Sequence, residues 1–139
     1  MFAKETHILV VDDSLNIRRI VVDSLQRLGF SKITTAEDAV EALGKLKFFI
    51  KTPHAIGLVL SDLNMPGPSG LDFLKQVRSE KEFVTLPFLL VTTESEKGAV
   101  IEAAAAGVSG YVVKPFNLET LTKKIKDAWK KHNEAAPAS

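Results

Sequence analysis

Short apolar runs alternate along this chain with longer segments whose apolar positions recur at helical spacing. Four of the runs are rich in Val, Ile and Leu: Ile8-Leu-Val-Val11, Leu58-Val-Leu60, Phe88-Leu-Leu-Val91 and Tyr111-Val-Val113. Such runs read as strands buried on both faces of a parallel sheet. Ile33 to Ala36 is a further, shorter strand candidate. Between them, Asn16 to Leu28 carries Ile17, Ile20, Val21, Leu25 and Leu28 close to a helical period, and Gly29 is a natural stop. Glu37 to Phe49 predicts a second helix through Ala39, Val40, Ala42, Leu43 and Leu46, followed by a loop from Ile50 to Ala55. Leu71 to Arg78 predicts a third, with Ser69 as its N-cap. Ala99 to Ala106 is helical by propensity and ends at Gly107. Leu118, Leu121, Ile125 and Trp129 predict a last helix, capped by Asn117 and packed on the sheet through those four residues.

Five such βα units with right-handed crossovers predict an α/β fold. The expectation is a doubly wound, flavodoxin-like parallel sheet of five strands in order 2-1-3-4-5, with five helices. Residues 1–139 are expected to form one domain with its core at about 7–131. Residues 132–139 are expected to be a tail, frayed from Glu134 onward.

The end of each buried run is where chemistry concentrates. Asp12 and Asp13 follow the first, Asp62 ends the third, Thr92 ends the fourth and Lys114 follows the fifth. Open α/β sheets bind ligands beyond the carboxyl ends of their strands, at the switch point between strands 1 and 3. Taken singly, these residues have ordinary roles: capping acids, a strand-end threonine, a Lys-Pro turn. Together they are costly. Two carboxylates about 4 Å apart repel by about 4 kcal/mol at an effective dielectric near 20. Lys114 offsets part of this, and a divalent cation would offset more. Mg2+ suits oxygen ligands and bridges carboxylates to phosphate. A carboxylate can act as a nucleophile toward phosphorus, with Mg2+, Lys114 and the Thr92 hydroxyl each taking a phosphoryl oxygen. The bond from Lys114 to Pro115 is a candidate cis peptide that would fix the lysine's aim.

Length and composition narrow the field. The chain has 139 residues, 45% apolar and 25% charged, as in an ordinary globular domain. It has no cysteine, which excludes disulfides and thiolate zinc sites. A net charge of +1 gives no field that points to nucleic acid. Met1 to His7 is too polar for a signal peptide, and no apolar stretch is long enough for membrane insertion. His7, His54 and His132 are read as surface or loop residues. The lysines of the last helix, Lys123, Lys124, Lys126, Lys130 and Lys131, are read as a solvated face.

The chain resembles the receiver domains of two-component response regulators, above all the single-domain chemotaxis type typified by CheY. The stretches that carry the resemblance are Val10-Val-Asp-Asp-Ser14, Arg18-Arg-Ile-Val21, Ala36-Glu-Asp38, Ser61-Asp-Leu-Asn-Met-Pro-Gly67, Val91-Thr-Thr-Glu94 and Ser109-Gly-Tyr-Val-Val-Lys-Pro-Phe116. They span about Ile8 to Trp129. The resemblance implies that Asp62 is phosphorylated by a histidine kinase. It implies that Asp12 and Asp13 organise Mg2+, with Asp62 and the Asn64 carbonyl completing the protein ligands. It makes Thr92 the switch hydroxyl, Lys114 the phosphate-binding lysine and Tyr111 an aromatic that turns inward on activation. The loop from Thr92 to Lys97 would follow the hydroxyl. The output surface would include Lys97, Val100, Tyr111, Val113, Phe116 and Lys124.

By the same resemblance the expected partners are a chemotaxis-type sensor histidine kinase, a flagellar motor switch protein and a phosphatase. The protein is expected to be a cytoplasmic monomer that assists its own phosphorylation and dephosphorylation but is otherwise not an enzyme. Leu63 departs from the tryptophan usual in the enteric chemotaxis proteins, Thr93 from a common alanine, and the stretch around Lys47 to Ile56 is longer than in them. A phosphorelay shuttle or a non-flagellar output is the alternative within the family. A haloacid dehalogenase-type phosphatase would place its nucleophile after strand 1 as Asp-x-Asp. A flavin carrier would need a Ser, Thr and Gly-rich loop there. A transcription factor would need a DNA-binding output domain, and none is expected.

Overall fold

The computed structural model describes residues 1–93 and 97–134. Strands β1 (His7–Val11), β2 (Ile33–Ala36), β3 (Ile56–Asp62), β4 (Phe88–Thr92) and β5 (Gly110–Val113) alternate with helices α1 (Leu15–Arg27), α2 (Ala39–Phe49), α3 (Gly70–Ser79), α4 (Lys97–Ala105) and α5 (Leu118–Glu134). The strands form one parallel sheet in the order β2-β1-β3-β4-β5. Val11 pairs with both Ala36 and Ser61, Asp62 with Val91, and Thr92 with Val113. That register brings the carboxyl ends of the four functional strands to one edge. The Lys114–Pro115 peptide bond is cis.

The continuous apolar runs hide a period of two. Leu9, Val11, Val59, Phe88 and Leu90 face one layer with α2 and α3. Ile8, Val10, Leu58, Leu60, Leu89, Val91 and Val112 face the other, with Val21 and Leu25 of α1 and Leu121 and Ile125 of α5. In the inner strands β1, β3 and β4 both faces are covered, so their runs carry apolar residues on both. Side-chain caps set the helix starts. Ser14 Oγ accepts from Ile17 N–H, the Asp38 carboxylate from Glu41 N–H, and Asn117 Oδ1 from Thr120 N–H. Ser69 and Asp72 form a reciprocal capping box at α3.

Several expectations are corrected. In α5 the residues that dock on the sheet are Leu121, Ile125 and Ala128, all fully buried, whereas Leu118 is 38% exposed and Trp129 only half-buried. A small residue at 128 lets the helix lie close to the sheet and turns the bulky Trp129 to the margin. The helix also runs on through His132 to Glu134. Ser109 Oγ hydrogen-bonds His132 Nε2 at 2.6 Å and Lys131 Nζ donates to the Val108 carbonyl, so residues 132–134 are helix rather than tail. The rest of the expected tail, residues 135–139, lies outside the described residues. His7 is buried in β1, where Nδ1–H donates to the His54 carbonyl and Nε2 shares a hydrogen bond with Thr34 Oγ1. A single-turn 3₁₀ helix, Lys81–Phe83, was not anticipated; it buries Phe83 between α3 and β4.

Gly70 opens α3 directly beneath the end of β3. A Cβ there would stand 2.2 Å from the Asp62 carbonyl oxygen and 2.9 Å from Leu63 Cα, and both are backbone atoms that cannot yield. Gly70→Ala is therefore expected to lower the unfolding free energy by about 2–3 kcal/mol in urea denaturation. An unchanged midpoint would contradict this close approach.

Candidate functional site

The crevice at the carboxyl edge is built from Asp62 outward. Asp62, at the last position of β3, is only 7% exposed. Its Oδ1 accepts from Lys114 Nζ at 2.9 Å, and the backbone N–H of Asn64 also donates to its carboxylate. Asp12, just beyond β1, is 4% exposed. Its Oδ1 accepts from Ser14 N–H at 2.8 Å, and its Oδ2 lies 3.5 Å from Lys114 Nζ. Asp13 is exposed at the mouth. One carboxylate oxygen from each of Asp12, Asp13 and Asp62 lies within 4.8 Å of the others.

The backbone that carries these acids is held from below. Arg18 of α1 is buried and its Nη1 donates to the Asp12 carbonyl at 2.7 Å. Gly70 N–H donates to the Leu63 carbonyl, which fixes the turn after Asp62. Lys114 N–H donates to the Thr92 carbonyl and ties the lysine's backbone to β4. Sequence reasoning assigned no role to Arg18 or Gly70. The signal was available for Arg18, because an arginine one turn after the Ser14 cap lies on the α1 face that meets β1. For Gly70 no pattern in the sequence distinguishes an obligatory glycine from a flexible one.

Burial pushes the Asp62 carboxyl above the ordinary carboxylate range, and the neighbouring charge of Asp12 pushes the same way. The hydrogen bond and charge of Lys114 oppose this but do not cancel it. Burial also disfavours the Lys114 ammonium. There the hydrogen bond to Asp62 and the charges of Asp62 and Asp12 prevail, so its pKa is raised. One ammonium is thus well served by two acids, while Asp62 is under-served by that one ammonium. Three converging carboxylates with oxygen-only donors suit Mg2+, so the donor set fits a divalent cation.

Thr92 is buried at the end of β4, and its hydroxyl makes a long, 3.3 Å hydrogen bond to the Thr93 carbonyl. Beyond it lies an open groove of about 560 Å³, lined by Thr92, Lys97, Val100, Ile101, Tyr111 and Val113 among others. Tyr111 is turned outward, 38% exposed, with Lys124 Nζ 4.9 Å from its ring centre. Phe116 does not share that groove; it lines a separate one with Ile17, Ile20, Thr93, Lys114 and Pro115. Residues 94–96, within the loop expected to move, lie outside the described residues.

A family profile described as the response regulator receiver domain matches residues 8–126. The chain belongs to the receiver-domain family. Curated relatives point to one branch of it. Chemotaxis protein CheY-3 of Vibrio cholerae is 43% identical over 122 residues, 88% of this chain and 90% of that protein. Chemotaxis protein CheY1 of Helicobacter pylori is 43% identical over 118 residues, 85% of this chain and 92% of that protein. The crystal structure of the chemotaxis response regulator CheY4 of Vibrio cholerae superimposes with a TM-score of 0.78 at 37% identity, covering 89% of this chain and 98% of that one. This receiver is therefore a CheY-like signalling domain with the flavodoxin-like architecture of its relatives. Among the described residues no helix is long and apolar enough to cross a membrane.

The electrostatics yield a test without any ligand. Asp62→Asn keeps the side chain's shape and an acceptor for Lys114 but removes the poorly compensated charge. In chelator at neutral pH the variant is expected to be more stable than the parent receiver by on the order of 1 kcal/mol. The folded carboxyl holds its proton to a higher pH than the unfolded one. The penalty is therefore complete above the folded-state pKa and fades as pH falls toward the unfolded value of 3.8. The gap between the two proteins should close over that window in chemical denaturation at stepped pH. A variant less stable than the parent at neutral pH would contradict the assignment of burial and repulsion as the dominant effects.

Proposed function

We propose that this receiver is a phosphorylation-driven switch in which Asp62 takes a phosphoryl group from the phosphohistidine of a sensor histidine kinase. The observation that carries the reading is the buried Asp62 carboxylate, held at 2.9 Å by Lys114 and crowded by two further acids. An Asp62 oxygen attacks phosphorus, the P–N bond breaks, and the imidazole leaves with the electron pair of that bond. Lys114 orients the carboxylate before transfer and is placed to pair with a phosphoryl oxygen afterwards. Asp12, Asp13, Asp62 and the Asn64 carbonyl would hold Mg2+. When bound, the cation neutralises the carboxylates and the charge developing on the phosphoryl oxygens.

The output follows from charge and space. An aspartyl phosphate adds negative charge and acceptor oxygens at Asp62. The Thr92 hydroxyl, weakly held by Thr93, can turn toward those oxygens, and the groove beside it can receive the outward Tyr111 ring. The phosphoryl group thereby favours one of two packings of the α4, β5 and α5 surface, which carries Lys97, Val100, Tyr111, Val113 and Lys124. The relatives' designation as chemotaxis proteins supports a flagellar motor switch protein as the reader of that surface, a chemotaxis-type kinase as donor, and the cytoplasm as the place of action.

Incubation with acetyl phosphate and Mg2+ is expected to add one phosphoryl group by intact mass. Asp62→Asn should abolish the addition, and Lys114→Ala should slow it by about 10²-fold or more. Motor switch protein should be captured by the phosphorylated form and much less by the unmodified one. Stoichiometric labelling of Asp62→Asn at another residue would overturn the acceptor assignment. Equal capture of both forms would overturn the output.

A further inference from the structure

Asp12 is held at three separate points, and one of them governs its neighbour. Its N–H donates to the Ala36 carbonyl at 3.1 Å, and its Oδ1 accepts from Ser14 N–H at 2.8 Å. Its carbonyl accepts from Arg18 Nη1 at 2.7 Å. The first two contacts fix Asp12 itself. The third acts on the peptide unit that joins Asp12 to Asp13. That unit is planar, so a donor held against its oxygen also fixes the direction in which the chain enters Asp13. Asp13 stands exposed at the mouth of the crevice and supplies one of the three converging carboxylates. Its reach toward the other two therefore depends on a peptide that Arg18 holds.

The arginine is anchored for that hold. Ser14, the residue after Asp13, caps α1, and its carbonyl accepts from Arg18 N–H at 3.0 Å. The Arg18 backbone is thus tied to one side of the acidic pair while its side chain grips the other, which closes a short ring from Asp12 through Ser14 and back. Arg18 is buried, and a buried guanidinium is costly unless its donors are used. Its one ion pair among the described residues is long and solvated: Nη2 lies 3.9 Å from a Glu37 carboxylate that is 72% exposed. Such a pair contributes little. The short, charge-assisted bond to the Asp12 carbonyl is the stronger contact. Charge and orientation act in opposite directions here. A positive charge behind the acids repels a bound cation, whereas a fixed Asp13 favours one.

We infer that Arg18 is a positioning residue for the cation site: by holding the Asp12–Asp13 peptide it sets Asp13 for the metal and thereby sets the affinity for Mg2+. The inference rests on the reading of Asp12, Asp13 and Asp62 as a Mg2+ site, and it adds a determinant on α1 that touches neither the metal nor the phosphoryl group. Groups one step behind a metal's ligands typically change its affinity by about 10- to 100-fold. The contacts of Asp62 run to Lys114 and Asn64 rather than to Arg18. Arg18 therefore governs how readily the site fills, and attack by Asp62 proceeds normally once it is full.

Titration of the backbone amide resonances of the full chain with MgCl2 at constant ionic strength tests this. Arg18→Met removes both the donor and the charge and is expected to weaken Mg2+ binding about tenfold. Loss of the charge alone would tighten binding, so the two causes differ in sign. Arg18→Lys keeps the charge but replaces the rigid fork by a flexible ammonium, and it is expected to bind between Arg18→Met and the unsubstituted chain. It carries the test by itself if Arg18→Met does not fold in chelator. With acetyl phosphate as donor, the Mg2+ concentration for half-maximal phosphorylation should rise about tenfold in Arg18→Met, while the rate at saturating Mg2+ stays within about twofold. A general loss of fold would not divide in that way. The inference is overturned if the Arg18 variants bind Mg2+ as tightly as the unsubstituted chain or more tightly, or if the rate at saturating Mg2+ falls as far as the affinity. Asp13→Ala separates this failure from that of the underlying reading. If Asp13→Ala loses Mg2+ while the Arg18 variants keep it, only the role of Arg18 is overturned; if Asp13→Ala keeps it, the cation site and the role of Arg18 fall together.

Discussion

The ion pair between Lys114 and Asp62 is the constraint around which the rest of the receiver is arranged. It joins the ends of β5 and β3 across the intervening β4 and sits beside two further acids. Two carboxylates about 4 Å apart repel by about 4 kcal/mol at an effective dielectric near 20, and here a single ammonium is shared between Asp62 and Asp12. The fold tolerates the deficit because the backbone beneath is tied by contacts that do not depend on it. Arg18 holds the Asp12 carbonyl, Ser14 N–H holds the Asp12 carboxylate, and Gly70 allows α3 to start against the Asp62 carbonyl. The crevice is thus stiff in position and short of positive charge, which is what a site for a cation and a phosphoryl group requires.

The same imbalance connects the site to the groove. A buried hydroxyl at Thr92 and an outward ring at Tyr111 lie along one wall, joined by the pairing of β4 with β5. Thr92 makes a poor hydrogen bond in this state, so little is lost if it turns to a better acceptor. Tyr111 rests against Lys124 at the surface, a contact worth about 0.5–1 kcal/mol at exposed sites. Under the proposed switch little has to be broken to leave the present arrangement, so a modest differential contact at Asp62 would suffice to favour the other.

Much of this was legible from order and spacing alone. Four apolar runs ending in Asp, Asp, Thr and Lys defined the strands, their common edge and the crevice, because strand ends in a parallel sheet must converge. What stayed hidden depends on tertiary neighbours. The face of α5 could not be read from Leu118, Leu121, Ile125 and Trp129, since Ala128 carries no strong signal until the sheet is beside it. His7 looks like a polar residue before a strand, and only the carbonyl of His54 and the hydroxyl of Thr34 make its burial possible. Phe116 follows Pro115 closely in sequence but serves a different groove from Tyr111. The obligatory character of Gly70 appears only when the distance to the Asp62 carbonyl is known.

The central claim, that the crevice is a charge deficit awaiting a cation, is tested most directly by the unfolding free energy of the unsubstituted chain as Mg2+ is raised at constant ionic strength. The deficit predicts a stability that climbs with the logarithm of Mg2+ once the site begins to fill, reaching about 2.7 kcal/mol at one hundred times the dissociation constant. A stability that does not respond to Mg2+, or that responds equally to a monovalent salt, would contradict it.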